Sequence, residues 1–318
     1  MATSADGLLL VDKPAGVSSH DVVAIARRIL GERRVGHAGT LDPFATGLLL
    51  LLTGRATRLA RYVPDEPKEY EATVRFGAET ATEDLHGAVV REAPLPSRAA
   101  LEAVLVTFRG DIEQVPPAYS AKHVEGKRAY ELARAGLDVA LAPVAVHVHS
   151  MELTSFVGSG DAVAQCRMLV SCGGGTYVRS LARDVARAAG SAAHLVALRR
   201  LRTGAFGLDR AVTLEALQAG DAAVAPALDA LAGFPQQALT EEETAAVARG
   251  VDVEARVGGE HVALVRVTGT GPVLVALGER RVQRSAPGKA GDVSPPGQGD
   301  RFQPRVVMRK PPERDAGA

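Results

Sequence analysis

Apolar residues recur along this 318-residue chain in two rhythms and one unbroken run. The run, Leu48 to Leu52, has no polar interruption and predicts a buried strand from Gly47 to Thr53. A shorter one, Leu8 to Val11, stops at Lys13-Pro14 and Gly16 and predicts a second strand. The two-residue rhythm appears in KEYEATVRFG, where Tyr70, Ala72, Val74 and Phe76 face one side against Glu69, Glu71 and Arg75. It returns in VAVHVHSMELTSF and AVAQCRMLVSC, joined at Gly158-Ser159-Gly160-Asp161 as an antiparallel pair.

The helical rhythm begins after Ser18. That serine, with Asp21 three residues on, has the form of a helix cap, and Val22, Ile25, Ala26 and Ile29 share a face until Gly31 closes the helix. PLPSRAALEAVLVTFRG predicts another helix with Ser97 as its cap. PPAYSAKHVEGKRAYELARAG reads as an extended entry, an EG turn and a short helix stopped at Gly136. In GGGTYVRSLARDVARAAG, Val178, Leu181, Ala182, Val185 and Ala189 form an apolar stripe. Composition shifts around AGFPQQALTEEE, which puts a domain boundary near residue 235, and SAPGKAGDVSPPGQGD at 285–300 reads as a flexible loop.

Length favours about two domains. Hydrophobic residues at 46% and charged residues at 23% are those of an ordinary globular chain. Thirty-seven cations balance thirty-seven anions, so contact with a polyanion would have to come from local clusters; Glu279 to Lys310 alone carries eight Lys or Arg against three acids. The only cysteines, Cys166 and Cys172, would share a strand face too far apart to bridge, which suits buried thiols in a reducing compartment. MATSADG lacks a leader's order of charges and apolar residues, and five leucines are too few to span a membrane, so a cytoplasmic location is expected.

One acid stands out. Asp42, in GHAGTLDPFATGLL, is held extended by Pro43 and lies against the most apolar strand of the chain. Asp-Pro among glycines commonly does backbone work alone. A carboxylate fixed beside a low-dielectric wall, however, protonates unless a cation is near. Arg179 is a candidate cation, because it sits in the first turn of its helix, where the macrodipole disfavours positive charge by roughly 0.3–1 kcal/mol. The alternatives are an arginine extended into solvent or one paired with Asp184, a poor helical spacing. The Ser18-Ser19-His20-Asp21 run lacks a nucleophile elbow and is better explained as a helix start. His37, His123, His147 and His149 show no metal-ligand spacing, the last two reading as a half-buried strand face. GGGTYVRS fails both nucleotide fingerprints, so no cofactor and no metal is expected.

In order, GLLLVDKPAGVSSHDVV, VGHAGTLDPFATGLLLL, PKEYEATVRFG, PPAYSAKHVEGKRAYELARAG, GGGTYVRSLARDVA and HLVALRRLRTG resemble the TruB family of tRNA pseudouridine synthases through nearly all of residues 7 to 235. The resemblance implies an α+β pseudouridine synthase fold, with a central mixed, mainly antiparallel sheet flanked by helices. It implies a catalytic domain at 1–235, a thumb-like RNA-binding insertion at about 115–140, and a small PUA-like β-barrel at 236–318. LVALGE and FQPRVVMRK resemble that barrel's closing strands. The reaction implied is isomerisation of uridine 55 in the T arm of tRNA, with the base detached at N1 and rejoined through C5.

By the same resemblance Asp42 matches the essential acid, which would either attack C1′ or remove the C2′ proton. Tyr70 matches the tyrosine that stacks on the target base, and Arg179 the arginine that pairs with the acid. Tyr177 and Leu198 match the uracil-pocket lining, His37 a histidine that holds the substrate loop, and Asp84 an acid that organises the site. A uridine stacked in a folded loop must be flipped out, at a cost of a few kcal/mol. Arg33 and Arg34, then Lys122, Lys127 and Arg128, then Arg199, Arg200 and Arg202 are local basic clusters fit for an RNA backbone. The partner expected is therefore the T arm stem-loop of tRNA, with no membrane and no obligate protein partner, the enzyme acting as a monomer. The rival readings are an RNA-binding or RNA-folding protein without turnover, and the catalytic subunit of a guide-RNA particle.

Overall fold

The computed structural model describes residues 6–120, 122–124, 127–137, 139–281 and 299–308. The EG turn at 125–126 and most of the Gly/Pro-rich stretch, residues 282–298, lie outside the described residues, as do the side chains of Lys127 and Arg128. An 11-stranded sheet forms the larger body. Its principal strands are β1 (Gly7–Lys13), β2 (Val35–Ala38), β3 (Thr46–Thr53) and β4 (Lys68–Phe76). A separate hairpin, β5 (Ala78–Thr80) with β6 (Val89–Glu92), follows; the large sheet then resumes with β7 (Gly110–Gln114), β8 (Val144–Ser159), β9 (Ala162–Cys172) and β10 (Ala193–Thr203).

Neighbours in the large sheet run β1, β3, β10, β4, β9, β8, β7, with the two-residue strand Val212–Thr213 outside β1. Only β3 with β10 and β1 with Val212–Thr213 pair in parallel; the remaining pairs of this sheet are antiparallel. β2 and β10 share one edge of β3. β2 runs beside Leu50 to Thr53, while β10 meets β3 only at Thr46 and Gly47. The loop from β2 to β3 therefore falls where one neighbour gives way to the other.

β3 is buried on both faces because it is central. Leu49 and Leu51 enter one core with Leu9 and Val11 of β1, whereas Leu48, Leu50 and Leu52 enter a second with Leu8 and Leu10. At about 1.5–3 kcal/mol for each fully buried leucine, this strand contributes much of the driving force for the fold.

Over the first core lie α1 (Ser19–Leu30) and, after α2 (Arg98–Val104) and α3 (Ala129–Arg134), the helix α4 (Val178–Ala188). α1 opens with a complete capping box between Ser18 and Asp21 and closes at Gly31 in the left-handed conformation. Ser97 caps α2 by accepting from the Ala100 amide. α5 (Leu214–Ala219) adds Leu214 and Leu217 to the same core.

Beyond residue 235 a five-stranded sheet forms from β11 (Gln236–Ala238), β12 (Val253–Glu254), β13 (His261–Thr268), β14 (Gly271–Arg281) and β15 (Arg301–Val307), in the order β11, β13, β14, β15, β12. α6 (Glu241–Ala248) packs Val247 against one face of it. The other face sends Ala263, Val265, Leu274, Leu277 and Val306 into the second core of the large sheet. Arg58 donates to the Val307 carbonyl at 3.2 Å, and Arg55 to that of Met308, so the two sheets share apolar and polar contacts. Among the described residues no helix is long and apolar enough to cross a membrane, and no group of three or more His, Cys, Asp or Glu is placed to hold a metal. Both cysteines are buried, with their thiols pushed up to about 12 at Cys166 and about 11 at Cys172 by that burial.

Candidate active site

The loop between β2 and β3 is held from four directions. Ser19, on the first turn of α1, accepts from the Leu41 amide at 2.9 Å and donates to the Leu41 carbonyl at 3.1 Å. Lys13, at the end of β1 and wholly buried, donates to the carbonyls of Pro14 and Val17 at 2.8 Å and Pro43 at 3.3 Å. Burial lowers its ammonium to about 8, against the pull of the nearby Asp42 carboxylate. Arg200 of β10 donates to the carbonyls of Leu48 at 2.7 Å, Gly39 at 2.9 Å and Thr40 at 3.4 Å. Gly47 is obligatory here, because its φ is +101° and a Cβ would lie 2.2 Å from the Arg200 carbonyl oxygen.

The fourth hold is Arg179. Its Nε lies 2.9 Å from Asp42 Oδ2 and its Nη2 donates to Oδ1 at 3.2 Å, a two-point pairing between residues 137 positions apart. The guanidinium is 4% exposed and the carboxylate 34% exposed, so the acid opens toward solvent while its partner is sealed behind it. Arg179 also donates to the carbonyls of Thr82 at 2.7 Å and Tyr119 at 3.0 Å. It belongs to the first turn of α4, which has no acid of its own and no side-chain cap.

The missing negative charge comes from a different element. Glu83, 8% exposed and in the left-handed conformation at φ 59°, accepts from the Ser180 hydroxyl at 2.9 Å and from the Arg183 guanidinium. Burial pushes the Glu83 carboxyl up while Arg183, Ser180 and Arg179 pull it down. Asp84 keeps to its own turn. It accepts from Thr82 Oγ1 at 2.6 Å and from the His86 amide at 2.9 Å, and so shapes the segment that gives Arg179 the Thr82 carbonyl.

Tyr70 lies opposite Arg200 across β4 and β10, and Leu198 lies opposite Ala72 two pairs further on; Tyr70 is 8% and Leu198 7% exposed. Burial raises the Tyr70 phenol above its ordinary range. Tyr177 stands at the start of α4, fixed by Gln114 from the end of β7, whose side-chain amide accepts from the Tyr177 N–H at 2.8 Å and donates to its carbonyl at 3.1 Å. Its phenol is also raised by burial, with the Ser120 hydroxyl and Arg179 opposing. His37 sits on β2 opposite Leu51, its ring edge-on to His20 at 5.2 Å. Burial, with the charges of His20 and Arg200, lowers its imidazole.

Two sequence expectations need correction. The sequence puts Arg200 with Arg199 and Arg202 in a basic cluster, but the strand turns it inward to 1% exposure, while Arg199 pairs with Asp12 at 2.7 Å and Arg202 with Glu69 at 3.8 Å. His147 and His149 are exposed, not half-buried, with rings 4.6 Å apart and His147 2.7 Å from Asp111. Lys13, Glu83, Gln114 and Arg183 also build this site, and no motif in the sequence marks them for it. Of these only Lys13, beside the turn that ends β1, carried a local signal.

Residues 27–178 match the family model described as the N-terminal domain of the TruB family pseudouridylate synthases, and residues 179–231 match that of the tRNA pseudouridylate synthase B C-terminal domain. The chain is 46% identical over 248 residues to the tRNA pseudouridine synthase B of Mycobacteroides abscessus, covering 77% of this chain and 83% of that one. To the protein of the same name from Thermobifida fusca it is 44% identical over 289 residues, covering 89% and 97%. Among solved structures, a Cbf5-Nop10-Gar1 complex aligns at a TM-score of 0.62 and 26% identity, covering 86% of this chain and 78% of that one. The archaeal box H/ACA Nop10-Cbf5 complex aligns at 0.66 and 24%, covering 96% and 87%, a likeness of fold.

Proposed function

The chain belongs to the TruB family of pseudouridylate synthases, and on that footing we propose that it isomerises uridine 55 in the T arm of tRNA to pseudouridine, with Asp42 as the essential carboxylate. As a member of this family it is an isomerase acting on tRNA. The reaction breaks the N1–C1′ bond, forms a C5–C1′ bond, and exchanges the C5 proton for one at N1, so that nothing is consumed. Asp42 either attacks C1′ or takes the C2′ proton, and both routes need a carboxylate that is close, immobile and open to the ribose.

The observation that carries this reading is the two-point Asp42–Arg179 pairing, with the arginine sealed and the acid half-buried and open on its other side. Tyr70 takes the face of the flipped base, while Leu198 and Tyr177 line its pocket. His37 holds the displaced loop, and Asp84 supports Arg179 by shaping the Thr82 turn. Residues up to 235 form the catalytic domain with the thumb at about 115–140. Residues 236–318 form the PUA-like domain, and its arginines and those at 33 and 34 meet the RNA backbone.

The enzyme acts alone, without cofactor or guide RNA. The test is incubation of the purified protein with an unmodified T-arm stem-loop and no additive, followed by mapping of the product. Pseudouridine at the single expected uridine is the outcome for this reading. Binding without product would leave an RNA-binding protein instead, and activity only after a protein or guide RNA is added would favour a particle subunit.

A further inference from the structure

Arg200 is an unusual residue to find in a core. It is 1% exposed, yet no carboxylate pairs with it among the described residues; it donates to the neutral carbonyls of Leu48, Gly39 and Thr40 and lies within hydrogen-bonding reach of the Tyr70 phenol. Burying a cation against neutral acceptors is expensive, and a neutral amide or imidazole donor could tie down a loop at lower cost. What the charge adds is found across the sheet. Arg200 and Tyr70 are directly opposed on β10 and β4, so their side chains rise from the same face. The guanidinium thus lies between the loop that carries Asp42 and the phenol of Tyr70.

We propose that Arg200 is a positioning residue that locks Tyr70 to the Asp42 loop and supplies the charge that lets the Tyr70 phenol give up its proton. This rests on the functional reading above. Once C5 has joined C1′, C5 carries both the new bond and its original hydrogen. The Tyr70 phenolate takes that proton, the electron pair of the C–H bond forms the C5=C6 double bond, and the C6=N1 pair moves onto N1, which takes a proton from water; the hydroxide left removes the phenol proton and restores the phenolate. The residue that makes phenolate accessible therefore controls this last step.

The groups around Tyr70 agree with this assignment. Burial raises the phenol, Arg200 is the largest influence pulling it down, and Cys172 from β9 and Asp42 from the loop push it further up. Arg179 of α4 answers Asp42, and Lys13 of β1 faces both Asp42 and Arg200. Arg200 is thus the cation that faces the phenol directly. A cation within roughly 4–6 Å lowers an acid's pKa by about 1–3 units.

The chain has five tyrosines and no tryptophan, so phenolate absorbance is readable without interference. Subtracting the titration of Tyr70→Phe from that of the unaltered protein isolates Tyr70. In an Arg200→Gln background the Tyr70 midpoint is expected to rise by at least about one unit, with single-turnover pseudouridine formation at neutral pH reduced at least about tenfold and tRNA affinity within about threefold. An unmoved midpoint overturns the proposal. If Arg200→Gln does not fold, Arg200→Met, neutral and of similar length, decides, through replacement of the tyrosines by 3-fluorotyrosine, whose phenol is more acidic. Recovery of at least about threefold of the rate lost in Arg200→Met supports control of the phenol's ionisation. No recovery leaves only a loop staple and overturns it. The titration needs no turnover, so failure of the unaltered protein to form pseudouridine would sink the functional reading separately.

Discussion

Glu83→Ala tests how Arg179 is supported. The substitution takes away the acceptor for Ser180 Oγ and the buried partner of Arg183, whose pair with Glu83 is about one-tenth exposed on each side. Breaking one side of a buried pair costs about 3–5 kcal/mol. Arg183 keeps Asp184 at 2.7 and 3.1 Å and the Val115 carbonyl at 2.9 Å, which places the loss at the lower end, about 3 kcal/mol. Against a typical stability of about 5–15 kcal/mol this is large.

The backbone supplies an internal control. Glu83 sits at φ 59°, where a residue with a Cβ is strained by about 1–2 kcal/mol, so Glu83→Gly should be more stable than Glu83→Ala by about that amount. Urea unfolding of the two variants and the unaltered protein gives both differences from the midpoints at constant slope. The Thr82 carbonyl that holds Arg179 is the adjoining peptide group, and losing one hydrogen bond to a charged group lowers the single-turnover rate by about 10–100-fold. An alanine variant within about 1 kcal/mol of the unaltered protein, or a glycine variant no more stable than the alanine one, would refute the reasoning.

Other outcomes follow from the same geometry. Lys13 has its ammonium lowered to about 8, so the unfolded chain binds the extra proton between pH 8 and the ordinary lysine range; stability gains with rising pH across that window, while turnover falls as the ammonium beside Asp42 is lost, readable from denaturation and rate profiles. Leu50→Ala, in a strand sealed on both faces, should cost about 2–5 kcal/mol by urea unfolding, and a cost under about 1 kcal/mol would contradict the packing described. Arg33 is exposed, and Arg33→Gln should weaken tRNA binding and lower the salt slope by a little under about one phosphate's worth, whereas an unchanged slope would remove it from the RNA surface.

The parts of the fold that local rhythm governs were readable in advance. β3 announced itself by five unbroken leucines, β4 by its alternation, and α1 by Ser18, Asp21 and Gly31. β10 escaped, since Arg199, Arg200 and Arg202 crowd its inner end and hide a period that two bulges also shift. The burial of Arg200 is hidden for the same reason, because a cation on a buried strand face has no local mark. Arg179 could be suspected from its position in the first turn of α4, where helix physics alone would not put it. Glu83 could not, because its role depends on a left-handed turn at a residue other than glycine and on the approach of α4, and neither leaves a trace in neighbouring residues.

The most direct measurement compares the unaltered protein with Asp42→Asn on the same unmodified T-arm stem-loop, recording RNA binding and single-turnover pseudouridine formation side by side. The amide keeps the size of the side chain and one acceptor for Arg179 but cannot act as nucleophile or base. Binding within about threefold of the unaltered protein, with no product above background, is expected. Product formation by Asp42→Asn at a rate near that of the unaltered protein would contradict the assignment of the carboxylate.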